Sequence, residues 1–189
     1  MTETACAFGV KDAEELARTL LHPLTERWQH TAAVAVRAEQ LAGTVDAADR
    51  EILVAAAWLH DIGYATATHD SGFHPLDGAR YLRKRGVSER LCSLVAHHSG
   101  ARFVAEARGL TSELAEFPLE VSALSDALTY ADQTVGPHGR PYSVEQRMAE
   151  VLDRHGPESP QAKAYSTRAP YLLSVAERVR RRFAQYSQR

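Results

Sequence analysis

Cysteine is scarce: Cys6 and Cys92 are the two in 189 residues. No Cys-x-x-Cys pair occurs, which excludes a thiolate zinc site, and a reducing compartment suits such a chain. Strand signals are equally thin. β-Branched residues are sparse outside helical patterns, and no apolar/polar alternation is sustained. No apolar stretch approaches the roughly 20 residues a membrane helix needs. The opening "MTETACAFGVKDAEEL" lacks a basic start followed by an apolar run, so no signal peptide is expected and the cytoplasm is the expected location. There is no excess of positive charge. The formal net charge of -2 argues against broad nucleic-acid binding. The local run Arg178, Arg180, Arg181 and Arg182 reads as a solvated helix end rather than a binding patch.

What the chain does have is helical patterning. At 44% hydrophobic and 24% charged it has the balance of a globular protein, and its length suits one domain. Helices are expected over about residues 11 to 22, 25 to 43 and 47 to 60, the second closed by Gly43 and the third capped by Asp46. "GYATATHDSGF" at 63 to 73 reads as a loop. A helix then starts near Pro75 and ends at Gly86, and another, capped by Ser88, covers about 89 to 98. Gly100, Gly109 and Pro118 break the stretch 99 to 119. Further helices are expected over about 119 to 134, 143 to 155 and 160 to 187, the last kinked at Pro170. The predicted class is all-α, one domain over 1 to 189, with a motif-bearing core at about 25 to 137 and C-terminal helices at about 143 to 187.

The chain also has nine histidines. In "WLHDIGY", residues 58 to 64, His60 and Asp61 end an apolar segment. A histidine and a carboxylate there are costly unless each finds a partner, and a metal ion would serve both. His30 lies mid-helix, His74 opens a helix, His97 and His98 end one, and Asp132 comes late in another. Imidazole nitrogens and carboxylate oxygens are the ligands that Fe, Mn, Zn and similar ions take. Taken singly, each histidine is more often a surface or satisfied core residue, and Asp132 alone could be a helix-surface carboxylate. The case rests on the set and its order. His22, His69, His138 and His155 are assigned no role.

That order, H…HD…H…H…D on a helical chain, resembles the HD-domain superfamily of metal-dependent phosphohydrolases. "RWQHTAAVAVRAEQLA" resembles the family's first-ligand helix, and "AAWLHDIGY" its HD helix. "HPLDGARYL" looks like the segment supplying the second metal's histidine in dinuclear members. "GVSERLCSLVAHHSG" looks like the helix with the next ligand, and "ALTYADQTVGP" like the one with the final aspartate. The resemblance implies a first metal on His30, His60, Asp61 and Asp132. It implies a second on His74 and one of His97 and His98, with Asp61 as the bridge. His98 is preferred, because helical spacing sets it in line with Leu91, Leu94 and Val95. Two branches of the family fit poorly. The cyclic-di-GMP phosphodiesterases carry a G-Y-P signature where this chain has "HHSGARF". The alarmone hydrolases carry a Glu-Asp pair after the HD helix, and "HDIGYATATHD" has none. Tyr64 stands where a lysine is common.

The activity so implied is hydrolysis of a phosphate ester or anhydride of a small molecule, a nucleotide first among them, by metal-activated water, with two divalent ions (Fe, Mn or similar) as cofactors and Asp61 central to catalysis. Arg27, one helical turn before His30, is placed to grip a phosphate, against an equal expectation of a surface salt bridge. Glu26 is expected at the surface, and Asp77 is expected to complement a helix dipole. Two rival readings stand: a di-iron oxygenase on the same scaffold, and a non-catalytic nucleotide-binding domain. Neither a membrane partner nor a fixed oligomeric state is implied, and a homo-oligomer is left open.

Overall fold

Helices account for nearly all the regular structure in a computed structural model that describes residues 8–188. Cys6 and the first seven residues of the segment read above for a signal peptide lie outside the described residues. The α-helices are α1 (Val10–Leu21), α2 (Thr25–Leu41), α3 (Arg50–Leu59), α4 (His74–Lys84), α5 (Glu89–His97), α6 (Ala101–Arg108), α7 (Thr111–Leu114), α8 (Ala123–Gln133), α9 (Val144–His155), α10 (Pro160–Lys163) and α11 (Tyr165–Tyr186). Among the described residues there is no strand, and β-type pairing is confined to an isolated bridge between Val135 and Pro141. No described helix is long and apolar enough to cross a membrane.

Helix α3 is the centre. Its sequence REILVAAAWL is apolar on most faces, and Leu53, Val54, Ala55, Ala56, Ala57 and Leu59 are all buried. Helices α1, α2, α5 and α8 pack around it. The three alanines have short side chains, which suits close approach by neighbours. On α2 the buried stripe runs Thr31, Val34, Ala35, Ala38, Leu41, and His30 belongs to it one turn before Val34. On α8 the stripe Leu124, Leu128 ends in Asp132 at the same four-residue step. So the helical period that buries the core also turns His30 and Asp132 inward.

Several ends differ from expectation. Gly43 does not close α2 with a left-handed turn; it is absent from the positive-φ positions. Instead a Cβ there would run into the Tyr186 ring at 2.3 Å, so the glycine makes room for the end of α11. Asp46 makes no side-chain cap; a short 3-10 turn, Ala47–Asp49, precedes α3. Helix α8 starts at Ala123, capped by Ser122, and not near 119. The C-terminal helix breaks at Ala164, while Pro170 sits inside α11. Ser88 caps α5 as expected, accepting from the Leu91 N–H. In the basic run, Arg178 grips both oxygens of buried Asp126 at 2.6 and 2.8 Å and Arg182 adds a third contact at 2.8 Å. Those two arginines clamp α11 onto α8 and are not simply solvated.

Candidate metal centre and cavity

Five segments bring the titratable cluster together. Helix α3 ends at Leu59, and the chain leaves the helical conformation at Asp61 (φ -105°, ψ 4°). The short turn Ile62–Tyr64 then packs against α4. Gly63 is what lets them touch: a Cβ there would sit 1.9 Å from the His74 carbonyl oxygen and 2.8 Å from the Gly78 nitrogen. This approach carries His74 to Asp61. Asp77 accepts from the Ser71 and Gly72 N–H groups at 2.7 and 3.0 Å and from the Ser71 hydroxyl. It therefore braces the loop before His74, a more specific role than complementing a dipole.

Helix α5 ends at His97, so the pair His97–His98 splits by leaving the helix and not by the 100° step within it. His98 is extended (φ -57°, ψ 151°) and buried, with Nε2 turned to the cluster. His97 turns away and its Nε2–H donates to the Phe117 carbonyl at 2.8 Å. Ser99 and Gly100 follow in left-handed conformation, φ 52° and 67°. That is strained for serine, and three bonds hold it. The Ser99 hydroxyl donates to Asp132 Oδ2, its N–H to Thr129 Oγ1 at 3.2 Å, and its carbonyl accepts from Arg168 Nε at 2.9 Å.

Two groups of side chains result, His30 with His60 and Asp132, and Asp61 with His74 and His98; in each, one ligand-type atom per residue lies within 4.8 Å of the others. Asp61 faces both. Its Oδ2 is 3.4 Å from His60 Nε2 and 3.7 Å from His30 Nε2; its Oδ1 is 3.3 Å from His74 Nε2 and 4.0 Å from His98 Nε2.

The tautomers tell what the groups can hold. His30 Nδ1–H donates to the Gly136 carbonyl (3.2 Å), His60 Nδ1–H to Ala57 (2.7 Å) and His98 Nδ1–H to Val95 (2.6 Å). A carbonyl only accepts, so in the neutral ring each Nε2 presents a lone pair to the cluster. His30 Nε2 then meets Asp132 Oδ1 at 3.0 Å, acceptor against acceptor, and His60 Nε2 is buried without a hydrogen-bond partner. A cation, or a proton, must lie between such atoms. Imidazoles fixed through Nδ1 to carbonyls are the usual outer support of a metal ligand. The residues present therefore fit divalent metal ions.

Charge follows the same logic. Burial works against ionising Asp61, yet His60 and Arg27 hold its carboxyl well below the usual range. Burial likewise opposes ionised Asp132, and His30 and His60 overcome it. Burial pushes the His60 imidazolium down, but the facing Asp61 and Asp132 carry its pKa above the ordinary value. His74 and His98 are pushed down, chiefly by burial.

The cluster floors a cavity of about 460 Å³. Arg27 lines it, with Nη1 on Asp61 Oδ2 at 2.7 Å, and its guanidinium lies 4.1 Å over the Tyr64 ring. Tyr64 in turn stacks on His74, centroids 4.0 Å apart. Burial and the Asp61 charge push the Tyr64 hydroxyl up to about 12. Glu26 is exposed and does not line the cavity. The far wall comes from α9 to α11: Arg147, Arg154, His155 and Arg168. His69 also lines the cavity. These wall residues were missed in the sequence because no local motif announces them.

A model of the HD domain matches residues 27–156. That is more than half the chain. The chain belongs to the HD domain family. The match extends the core expected at 25 to 137 through α9. This HD domain is also 38% identical over 68 residues to a tRNA (cytidine(56)-2'-O)-methyltransferase of Picrophilus torridus. The alignment takes in 36% of this chain, which spans 17% of the length of that protein. No solved structure matches. The all-helical class and the family expected from the sequence are both found, and the HD domain carries two His/Asp groups consistent with a metal-dependent phosphohydrolase.

Proposed function

We propose that this HD domain is a dinuclear metal-dependent phosphohydrolase acting on a small phosphorylated molecule, a nucleotide first among them. The observation that carries the reading is the cavity itself. About 460 Å³ of space opens on two His/Asp groups and is walled by Arg27, Arg108, Arg147, Arg154 and Arg168. That volume suits a small-molecule ligand, roughly 300–1,000 Å³. Positive walls over an anion-rich floor suit a ligand that is anionic and meets cations at the floor.

In this reading His30, His60 and Asp132 would hold one ion and His74 and His98 the other, with Asp61, which faces both groups, available to each. Bound there, ions such as Fe or Mn would supply Lewis-acid polarisation of a phosphoryl oxygen and a lowered water pKa. The chain does the rest. Carbonyls of Gly136, Ala57 and Val95 lock three imidazoles in the Nδ1–H tautomer. Ser99 and Gln133 bind Asp132 Oδ2, which leaves Oδ1 for the centre. Arg27 keeps one N–H on Asp61 and turns its remaining donors toward the substrate.

Elemental analysis of the purified protein, followed by a phosphate-release screen over nucleotides with Mn, Fe, Co and Mg, tests this. Metal-dependent release of inorganic phosphate supports it. Product formation that needs iron and O2 would favour the oxygenase reading instead. Tight nucleotide binding with no turnover under any metal would favour a binding domain.

A further inference from the structure

The cavity contains one arginine that forms no ion pair with a carboxylate and lies outside the family segment. Arg168 lies on α11, beyond residue 156 where the HD match ends. Arg27 is paired with Asp61, and Arg147 and Arg154 share Glu150. Among the described residues no carboxylate lies within ion-pair reach of Arg168. Its Nε–H is spent on the Ser99 carbonyl at 2.9 Å. That single bond fixes the plane of the guanidinium and leaves both Nη groups unengaged by hydrogen bonds to the protein, in a side chain that lines the cavity. Burial pushes its pKa down, and the more distant charge of Asp132 offsets this only in part.

Ser99 gives the second observation. A serine at φ 52° is strained and persists only where the surroundings hold it. Its left-handed turn aims the hydroxyl at Asp132 Oδ2 and the carbonyl at Arg168, so one strained residue sets both the carboxylate and the arginine. Arg168 thus sits one residue from the cluster on the Asp132 side, whereas Arg27 touches Asp61 directly on the other.

We propose that Arg168 is a phosphoryl-binding residue supplied by the C-terminal helix: its two Nη groups take terminal oxygens of the substrate's phosphoryl group from the Asp132 side. This rests on the phosphohydrolase reading for the identity of the anion. The planar fork suits two oxygens of one phosphoryl group, which an ammonium would meet as a point charge.

The test measures binding of inorganic phosphate by calorimetry to the manganese-loaded protein, with turnover of nucleotides read separately. The proteins are wild type, Arg168→Gln, Arg168→Lys and, as a control on the same helix, the exposed Arg181→Gln. Metal content and melting temperature are recorded for each. Expected is a loss of phosphate affinity of about 10- to 100-fold in Arg168→Gln, a smaller loss in Arg168→Lys, unchanged metal content, and wild-type binding in Arg181→Gln. Wild-type affinity in folded Arg168→Gln overturns the proposal, and if turnover persists the phosphohydrolase reading stands without it. Absence of turnover on every nucleotide, with phosphate binding still dependent on Arg168, supports the anion site while the hydrolase reading fails. Should Arg168→Gln not fold, phenylglyoxal labelling of the wild type decides: phosphate must protect Arg168, and labelling unaffected by phosphate overturns the proposal.

Discussion

Arg27 Nη1 stands 2.7 Å from Asp61 Oδ2, so the arginine nearest the cluster is tied to the carboxylate that faces both histidine groups. The expected salt bridge forms, but inside the cavity and not at the surface, and the phosphate grip is still open to Arg27 as a proposal. The partner is buried, the pair is 34 residues apart in sequence, and the guanidinium lines the cavity. Arg27→Ala is expected to lower kcat/KM by roughly 10- to 150-fold, since a hydrogen bond to a charged group is worth about 1.5–3 kcal/mol. Arg27→Lys, which keeps charge without the fork, should fall between. Metal content should hold, because six other side chains face the two groups. Steady-state kinetics on any substrate found in the phosphate screen checks this, and wild-type kcat/KM in Arg27→Ala removes Arg27 from substrate binding.

Two ions per chain are expected, and His74 decides the second. It faces Asp61 Oδ1 and lies 3.4 Å from His98 Nε2. His74→Ala should leave the His30, His60 and Asp132 group able to hold one ion, with activity sharply reduced. His60→Ala and Asp61→Ala should lose both metal and activity. Metal-to-protein ratios by elemental analysis, on protein purified without chelator and supplied with Mn or Fe, give the answer. A wild-type ratio of one sinks the dinuclear assignment.

The metal-free protein should be most stable near pH 6.5. His60 has a raised pKa, so its contribution is present below the unfolded value of about 6.5 and is lost as pH climbs through the folded one. His74 and His98 have lowered values; they favour the fold when neutral, and that contribution fades as pH falls below about 6.5. Asp61 and Asp132, also depressed, add stability above about pH 4 that disappears at stronger acidity. Melting temperatures of chelator-treated protein across pH 5 to 8.5 should show the maximum, and His60→Gln should flatten its alkaline side. Metal binding displaces the His60 proton, so affinity should rise with pH over the same alkaline range. A metal affinity independent of pH there would contradict the assignment of His60.

Gly63→Ala should be among the most damaging small changes outside the cluster. The new methyl would meet backbone atoms of His74 and Gly78, which cannot rotate away. Overpacking costs typically 1–3 kcal/mol and more where backbone must shift. Gly78→Ala faces nearest contacts of 3.2 to 3.4 Å and should cost less. Urea denaturation of both variants ranks them. A Gly63→Ala protein as stable as Gly78→Ala would mean that the turn and α4 separate easily.

Much of the cluster was legible because burial and chemistry share one period. His30 begins the four-residue series His30–Val34–Ala38, and Asp132 continues Leu124–Leu128, so helical spacing alone turns both inward. His98, preferred over His97 for its helical spacing, faces the cluster, but it does so from beyond a helix that ends one residue earlier than expected. What could not be read depends on distant segments meeting. Nothing local announces that Arg147, Arg154 and Arg168 wall the cavity, or that Tyr64 lies between Arg27 and His74. Gly43 misled for the same reason: a glycine after a helix suggests a stop, whereas here it answers to Tyr186, far along the chain.

The contact between His30 and Asp132 spans 102 residues of chain. Such a contact closes late, after the shorter loops between neighbouring helices have formed. A nascent chain therefore has no complete first group until α8 has been made and has docked on α2.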